Sequence, residues 1–378
     1  MRKVVLVRYG EIGVKSDSVR GKMVKVLRQR IEDRLEYQEL PYQKVMTDEG
    51  RIFIYTEHSE AVAKAVSEIP GVASASPSVE TEANLEKIKQ VAEAMDFGES
   101  FGVRTNRAGE HQFNSREVNQ KIGAHIEEVK EIGVELDNPD TWLDIDIRYG
   151  KAYVFTEIFE GPQGHPVSSE KGFLSLISGG IDSPVAAHQV LTRGVDIMPI
   201  YFFNKPISAE DHLIRFESVV KKLERFHPGK KWHYYVVDME EVNNKLMDVG
   251  KGRMVLHRAV MFKVAERIAE REGLQGIVTG ESIGQKASQT PKNLAVTSSQ
   301  IDMPVHRPLL TWDKNRITEK ARDINTFEES KIDSACRTIA PESPATSLDG
   351  SELEALKSTV GFEKIVDKAV EQTKKVEL

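Results

Sequence analysis

The run Leu174-Ser-Leu-Ile-Ser-Gly-Gly-Ile-Asp-Ser-Pro-Val-Ala-Ala-His188 decides the fold. Leu174 to Ile177 is an apolar stretch of strand length, and Pro184 stands where a helix tolerates proline, near its first turn. Between them lies Ser178-Gly179-Gly180-Ile181-Asp182-Ser183. A strand that feeds such a turn and then a helix start builds an anion site, because free N–H groups and the positive end of the helix dipole face the ligand. Gly179 and Gly180 let the backbone approach a phosphate closely, and Ser178 and Ser183 add hydroxyl donors. No Gly-x-x-x-x-Gly-Lys-Ser/Thr run occurs in the chain, so this is not the phosphate loop of kinases and GTPases.

After this loop the apolar pattern alternates helix and strand. It predicts a helix to about residue 192, a strand over 197–203, a helix over 209–226 and a strand over 233–237. A helix over 254–272 and a strand over 276–279 follow. Such an order is that of an α/β domain with a doubly wound parallel sheet, in which ligands bind beyond the carboxyl ends of the strands. That places Phe202, Phe203, Gly280 and Glu281 beside the loop.

Upstream, residues 1–80 read as strand, helix, two strands, helix, strand, the order of an α+β ferredoxin-like unit. Residues 81–165 have a different texture, with helices over 85–95 and 115–134 and two strands, 141–148 and 151–159, meeting at Tyr149-Gly150. Here Phe101, Arg104, Arg107, Phe113 and Arg116 interleave cations with aromatic rings, the mix that serves phosphates and exposed bases. Gly161-Pro-Gln-Gly-His-Pro166 reads as a rigid connector into the last domain, 171–378.

The 378 residues suffice for two or three domains, and 39% apolar residues suffice for ordinary cores. No apolar run approaches ~18 residues, so no membrane span is expected, and the chain reads as cytoplasmic. A single cysteine, Cys336, excludes an internal disulfide and any multi-thiolate metal site within one chain. The net charge of −7 means that any RNA binding relies on local basic patches.

The hexapeptide resembles the pyrophosphate loop (PP-loop) of the ATP pyrophosphatases, which cleave ATP between its α and β phosphates and adenylate a substrate. Further stretches narrow the family. They are Arg8-Tyr-Gly-Glu-Ile-Gly-Val-Lys15, Asn138-Pro-Asp140, Gly161-Pro-Gln-Gly-His-Pro-Val167 and Thr279-Gly-Glu-Ser-Ile-Gly-Gln-Lys-Ala-Ser-Gln-Thr290. Asp313-Lys314 and Cys336-Arg-Thr-Ile-Ala-Pro-Glu-Ser-Pro-Ala-Thr346 complete the set. Together they resemble the ThiI-type tRNA 4-thiouridine synthetases (tRNA sulfurtransferases) over nearly the whole chain. The resemblance implies a ferredoxin-like domain (1–80), a THUMP RNA-binding domain (81–165) and a PP-loop catalytic domain (171–378). It implies that ATP adenylates O4 of the uridine at position eight of tRNA, with release of pyrophosphate, before a sulfur nucleophile attacks C4.

On the same resemblance, Asp182, Lys314 and Cys336 are the catalytic positions, and Asp182 works with Mg²⁺, a hard cation suited to carboxylate and phosphate oxygens. A lysine supplies a mobile point charge for the phosphoryl centre, and a thiol becomes nucleophilic as thiolate, which Arg337 and Lys331 favour. Leu176, Ile177, Phe202, Phe203, Arg258, Gly280 and Gln289 fall on ATP-contacting positions, joining Ser178, Gly179, Gly180 and Ser183 of the loop. Arg104, Arg107 and Arg116 are the expected RNA contacts. Longer relatives carry a rhodanese domain with a second cysteine, which this chain lacks. Sulfur is then expected from a persulfide on Cys336 supplied by a cysteine desulfurase, from a separate carrier, or from free sulfide. Service to thiamine biosynthesis is correspondingly more doubtful. The resemblance implies a homodimer. Two alternatives stay open: another adenylating PP-loop tRNA-modifying enzyme, and a catalytically inactive tRNA-binding protein.

Overall fold

In the computed structural model, which describes residues 1–48, 50–331 and 340–378, the chain divides into two units, Met1–Pro166 and Val167–Leu378. The first begins with β1 (Arg2–Arg8), α1 (Asp17–Tyr37), β2 (Lys44–Asp48), β3 (Arg51–Tyr55), α2 (Ser59–Ser67) and β4 (Ser74–Glu82). Val4, Val5, Leu6 and Val7 are all fully buried, which a strand achieves only where both of its faces are covered. Met23, Leu27, Ile31 and Leu35, four residues apart, form the stripe that α1 lays on the sheet. Next come α3 (Leu85–Glu93), β5 (Ser100–Ala108), α4 (Ser115–Lys130), β6 (Gly133–Val134), β7 (Thr141–Arg148), β8 (Lys151–Phe155) and β9 (Phe159–Glu160). The Asn114 side chain accepts the N–H of Glu117, whose carboxylate accepts the Asn114 N–H, and this capping box starts α4.

One nine-stranded sheet runs through this unit in the order β2-β3-β1-β4-β8-β7-β5-β6, with β9 also on β4. The antiparallel pair β4–β8 carries it across residue 80. Several details depart from the sequence expectation. The strand expected over 151–159 ends at Phe155, and Phe159–Glu160 pairs separately with β4. Helix α4 stops at Lys130 rather than 134, because Glu131 turns to φ 56° and Gly133–Val134 pairs with β5 instead. The supposed connector is stitched down: Gln163 N–H donates to Val72 O, and Gly71 N–H donates to Gln163 O. A Cβ on Gly161 would lie 2.3 Å from Val72 O, so only glycine fits there.

The second unit is entered along β10 (His165–Leu176), whose first two residues precede the division, and continues through α5 (Asp182–Leu191), β11 (Arg193–Phe203), α6 (Glu210–Glu224), β12 (His233–Asp238), α7 (Glu240–Leu246) and α8 (Arg253–Arg271). It continues through β13 (Ile277–Val278), α9 (Pro291–Ser298), β14 (Val305–His306), α10 (Lys314–Asp323), α11 (Gly350–Val360), α12 (Phe362–Glu371) and β15 (Lys374–Glu377). The sheet order is β14-β13-β10-β11-β12-β15. Pairs β10–β13, β13–β14 and β11–β12 are parallel, and the terminal β15 runs antiparallel to β12. One face is covered by the apolar sides of α7, α8, α11 and α12, and the other by those of α5, α6 and α10. Strand order therefore reverses between β10 and β13, the point where doubly wound sheets open a ligand crevice. Among the described residues, no helix is long and apolar enough to cross a membrane.

Candidate active site

The crevice at that reversal is a cleft of about 810 Å³. Its floor is the turn between β10 and α5. Ser183 Oγ accepts the N–H of Ser178 at 3.0 Å, and Gly180 N–H donates to Ser178 Oγ at 3.3 Å, so the two serines tie the turn to the start of α5. Gly179 has φ +70°, the left-handed region that favours glycine. Gly280, just past β13, packs on the same turn. A Cβ there would sit 2.7 Å from the Ser183 nitrogen, so glycine at 280 lets the two loops of the switch point touch.

Asp182 opens α5, where the helix dipole favours a carboxylate. Lys314 is the first residue of α10, a helix capped by Asp313, whose side chain accepts the N–H of Arg316. Lys314 Nζ donates to Asp182 Oδ1 at 2.6 Å. Two side chains 132 residues apart, each singled out from sequence, thus meet in the cleft.

Leu176, Ile177, Ser178, Gly180, Ser183, Phe202, Arg258, Gly280 and Gln289 also line the cleft. Phe203 does not. It lies on the same face of β11 as Tyr201, which does line the cleft, with the two rings 6.0 Å apart. Gly179 stands behind the lining, with its backbone against Arg215 of α6. Cys336, like Arg337, lies outside the described residues.

Several groups that the sequence reading left without a role complete the walls. Glu281, 2% exposed, takes the Nε–H of Arg307 at 2.8 Å and the hydroxyl of Thr279 at 3.0 Å on Oε2, while its Oε1 lies 3.3 Å from Arg258 Nε. One buried carboxylate thus sits between two guanidinium groups. His257, next to Arg258, donates from Nε2 to Asn204 Oδ1 at 3.1 Å. Burial, helped by the Arg258 charge, pushes its pKa down to about 4, so it stays neutral at physiological pH and adds no charge to the cleft. The sequence placed Glu281 beside the loop, at the carboxyl end of a strand in the Thr-Gly-Glu-Ser run, but gave no sign of its arginine partners. Arg307 had no signal, since its partner is 26 residues away.

Among the described residues, no group of three or more His, Cys, Asp or Glu side chains is arranged to hold a metal ion. A single carboxylate in a phosphate-binding cleft still suits Mg²⁺, which takes most of its shell from phosphate oxygens and water.

In the first unit, Arg104 and Arg107 lie along β5, and Arg116 is exposed in the first turn of α4. Arg104 is not a bare cation. It makes a two-pronged pair with Asp144, at 3.0 and 2.8 Å, and lies 4.3 Å over the ring of Trp142. Arg107 meets His111 Nδ1 at 3.1 Å. Phe101 is fully buried in the helix-side core, so it offers no face to a base. Trp142, unremarked in the sequence, holds the position next to Arg104 instead.

Residues 168–362 match the family described as thiamine biosynthesis protein (ThiI), residues 4–76 its ferredoxin-like domain and residues 81–157 the THUMP domain. A probable tRNA sulfurtransferase of Halobacterium salinarum is 38% identical over 351 residues, covering 90% of this chain and 89% of the relative. A probable tRNA sulfurtransferase of Thermococcus kodakarensis is 34% identical over 347 residues, covering 88% and 90%. Among solved structures, a 4-thiouridine synthetase crystallised with RNA and bound ATP superimposes with a TM-score of 0.87 at 30% identity, each chain covered completely.

Proposed function

The chain belongs to the ThiI family and is a tRNA sulfurtransferase, and from that premise we propose that it converts the uridine at position eight of tRNA to 4-thiouridine, with activation by ATP in the cleft of the second unit. The observation that carries the assignment of residues is the hydrogen bond between Lys314 and Asp182 at the lip of the pyrophosphate loop. Support for ATP and RNA as ligands comes from the structural neighbour that holds both.

In the first step O4 of the uracil attacks the α phosphorus and N3 gives up its proton to water. The bond to the α–β bridging oxygen breaks, and pyrophosphate leaves with the electron pair. Apolar groups at Leu176 and Phe202 supply a wall for adenine, and Arg258 supplies a fixed positive charge to the nucleotide. Asp182 is the carboxylate that would hold Mg²⁺, which when bound offsets phosphate charge. Lys314 stabilises the charge that builds on the phosphoryl oxygens.

In the second step we assign sulfur delivery to Cys336. The terminal sulfur of its persulfide attacks C4 and expels AMP, leaving a disulfide between base and protein. A dithiol then reduces that disulfide, freeing the thiolated base and the cysteine. The experiment is formation of 4-thiouridine from unmodified tRNA with ATP, Mg²⁺, cysteine, a cysteine desulfurase and a dithiol. Wild type is expected to form it. Cys336→Ser is expected to form none until hydrosulfide is supplied directly. No product from wild type with either sulfur source overturns the thiolation reading. Equal product from both proteins with the desulfurase removes Cys336 from the sulfur step.

A further inference from the structure

The cleft lies beyond the carboxyl ends of the strands and draws its lining from both faces of the sheet, an α8 lobe and an α6 lobe. On one side α8 contributes Arg258, paired with the buried Glu281, and Phe202 lines the cleft from the same face of the sheet. On the other side α6 contributes Arg215, and Tyr201 and Ile181 line the cleft from the same face of the sheet. Arg215 is only 4% exposed, yet it lines the cleft and lies directly on the pyrophosphate loop. A Cβ added to Gly179 would stand 3.0 Å from Arg215 Nε and 3.6 Å from its Cγ. Gly179 is therefore open on the side where the guanidinium stem lies, and the loop is shaped around an arginine.

We propose that Arg215 holds the β and γ phosphates of ATP, so that the α6 lobe is the seat of the leaving pyrophosphate and the α8 lobe that of the nucleoside monophosphate. This rests on the assignment of ATP to the cleft. The chemistry requires a cation in the α6 lobe. As the bond from the α phosphorus to the bridging oxygen breaks, its electron pair goes to the pyrophosphate, and negative charge grows on the β phosphate. A guanidinium keeps its charge at any physiological pH and meets phosphate oxygens with paired, parallel N–H donors. Burial also suits the role, since a preorganised charge shielded from water acts more strongly on its ligand.

The division into lobes predicts a binding pattern in the full chain with Mg²⁺ present. In wild type, inorganic pyrophosphate should compete with ATP but not with AMP, because AMP and pyrophosphate occupy different lobes. Arg215→Gln should weaken ATP and pyrophosphate at least tenfold while leaving AMP within twofold, the retained AMP site proving that the variant is folded. Arg215→Lys should recover part of the pyrophosphate affinity. Mutual exclusion of AMP and pyrophosphate in wild type would overturn the assignment, even if Arg215→Gln failed to fold. So would an equal loss of ATP and AMP in Arg215→Gln, or no loss of either. Failure of wild type to bind ATP at all would overturn the nucleotide reading, and the assignment of Arg215 with it.

Discussion

Asp182→Ala is expected to lower tRNA-dependent pyrophosphate release by at least about a hundredfold, the usual cost of removing a group that stabilises transition-state charge. The same substitution should leave the fold almost untouched. Its carboxylate pairs with Lys314 in a contact whose side chains are 25% and 53% exposed, and exposed pairs of this kind contribute about 0–1 kcal/mol. A large kinetic loss with a small change in stability is what separates a reacting group from a structural one. Lys314→Ala should fall in the same class, and the double variant should be little worse than either alone, since the two groups act on one phosphoryl transfer. The pair can be checked by steady-state pyrophosphate release beside urea unfolding. An Asp182→Ala protein that kept more than about a tenth of the rate would remove Asp182 from the reaction.

Glu281→Ala should behave in the opposite way, as mainly a stability defect. Glu281 is 2% exposed, and its removal leaves Arg258 and Arg307 facing one another with no carboxylate between them. Breaking a buried ion pair from one side typically costs about 3–5 kcal/mol, because the remaining charges lose both partner and water. Thr279 Oγ1 loses its acceptor as well. ATP affinity should fall with the stability, since Arg258 is held from its Nε by this carboxylate. Glu281→Gln keeps the shape and a carbonyl acceptor, and should fall between the two. The readout is the urea midpoint at unchanged slope. A loss below about 1 kcal/mol for the alanine variant would show that water or a shift of the arginines replaces the carboxylate.

The sequence carried the architecture of the second unit because its strands are buried on both faces and its helices are long. Leu174 to Ile177 and the 197–203 run are legible as apolar blocks, and the loop between β10 and α5 is legible from its glycines and serines. Shorter and more polar elements were not. Strand β15, Lys-Lys-Val-Glu over Lys374–Glu377, is a charged edge strand, defined by backbone pairing with β12 rather than by any apolar pattern. In β5, Phe101 and Val103 are buried while Arg104 is exposed, and a stretch legible only as cations interleaved with aromatic rings is a strand paired with β7.

The site divides along similar lines. Residues within one loop, such as Ser178 and Asp182, are visible because local geometry and chemistry coincide there. Arg215 reads as one more surface charge on an amphipathic helix, and only the packing of α6 on the loop turns it into the cleft. Phe202 and Phe203 are adjacent and chemically equal, and only the folded strand, which puts them on opposite faces of β11, shows that Phe202 lines the cleft and Phe203 does not. Arg307 required the pairing of β14 beside β13 before its contact with Glu281 existed.

The claim at the centre is that the uracil O4 itself takes the AMP. It is tested by giving the full chain a tRNA whose position-eight uridine carries heavy oxygen at O4, with ATP, Mg²⁺ and hydrosulfide, and weighing the AMP released. The account predicts that the heavy oxygen appears in AMP, one for each 4-thiouridine formed, and that pyrophosphate carries none. Thiolated tRNA accompanied by unlabelled AMP would contradict it.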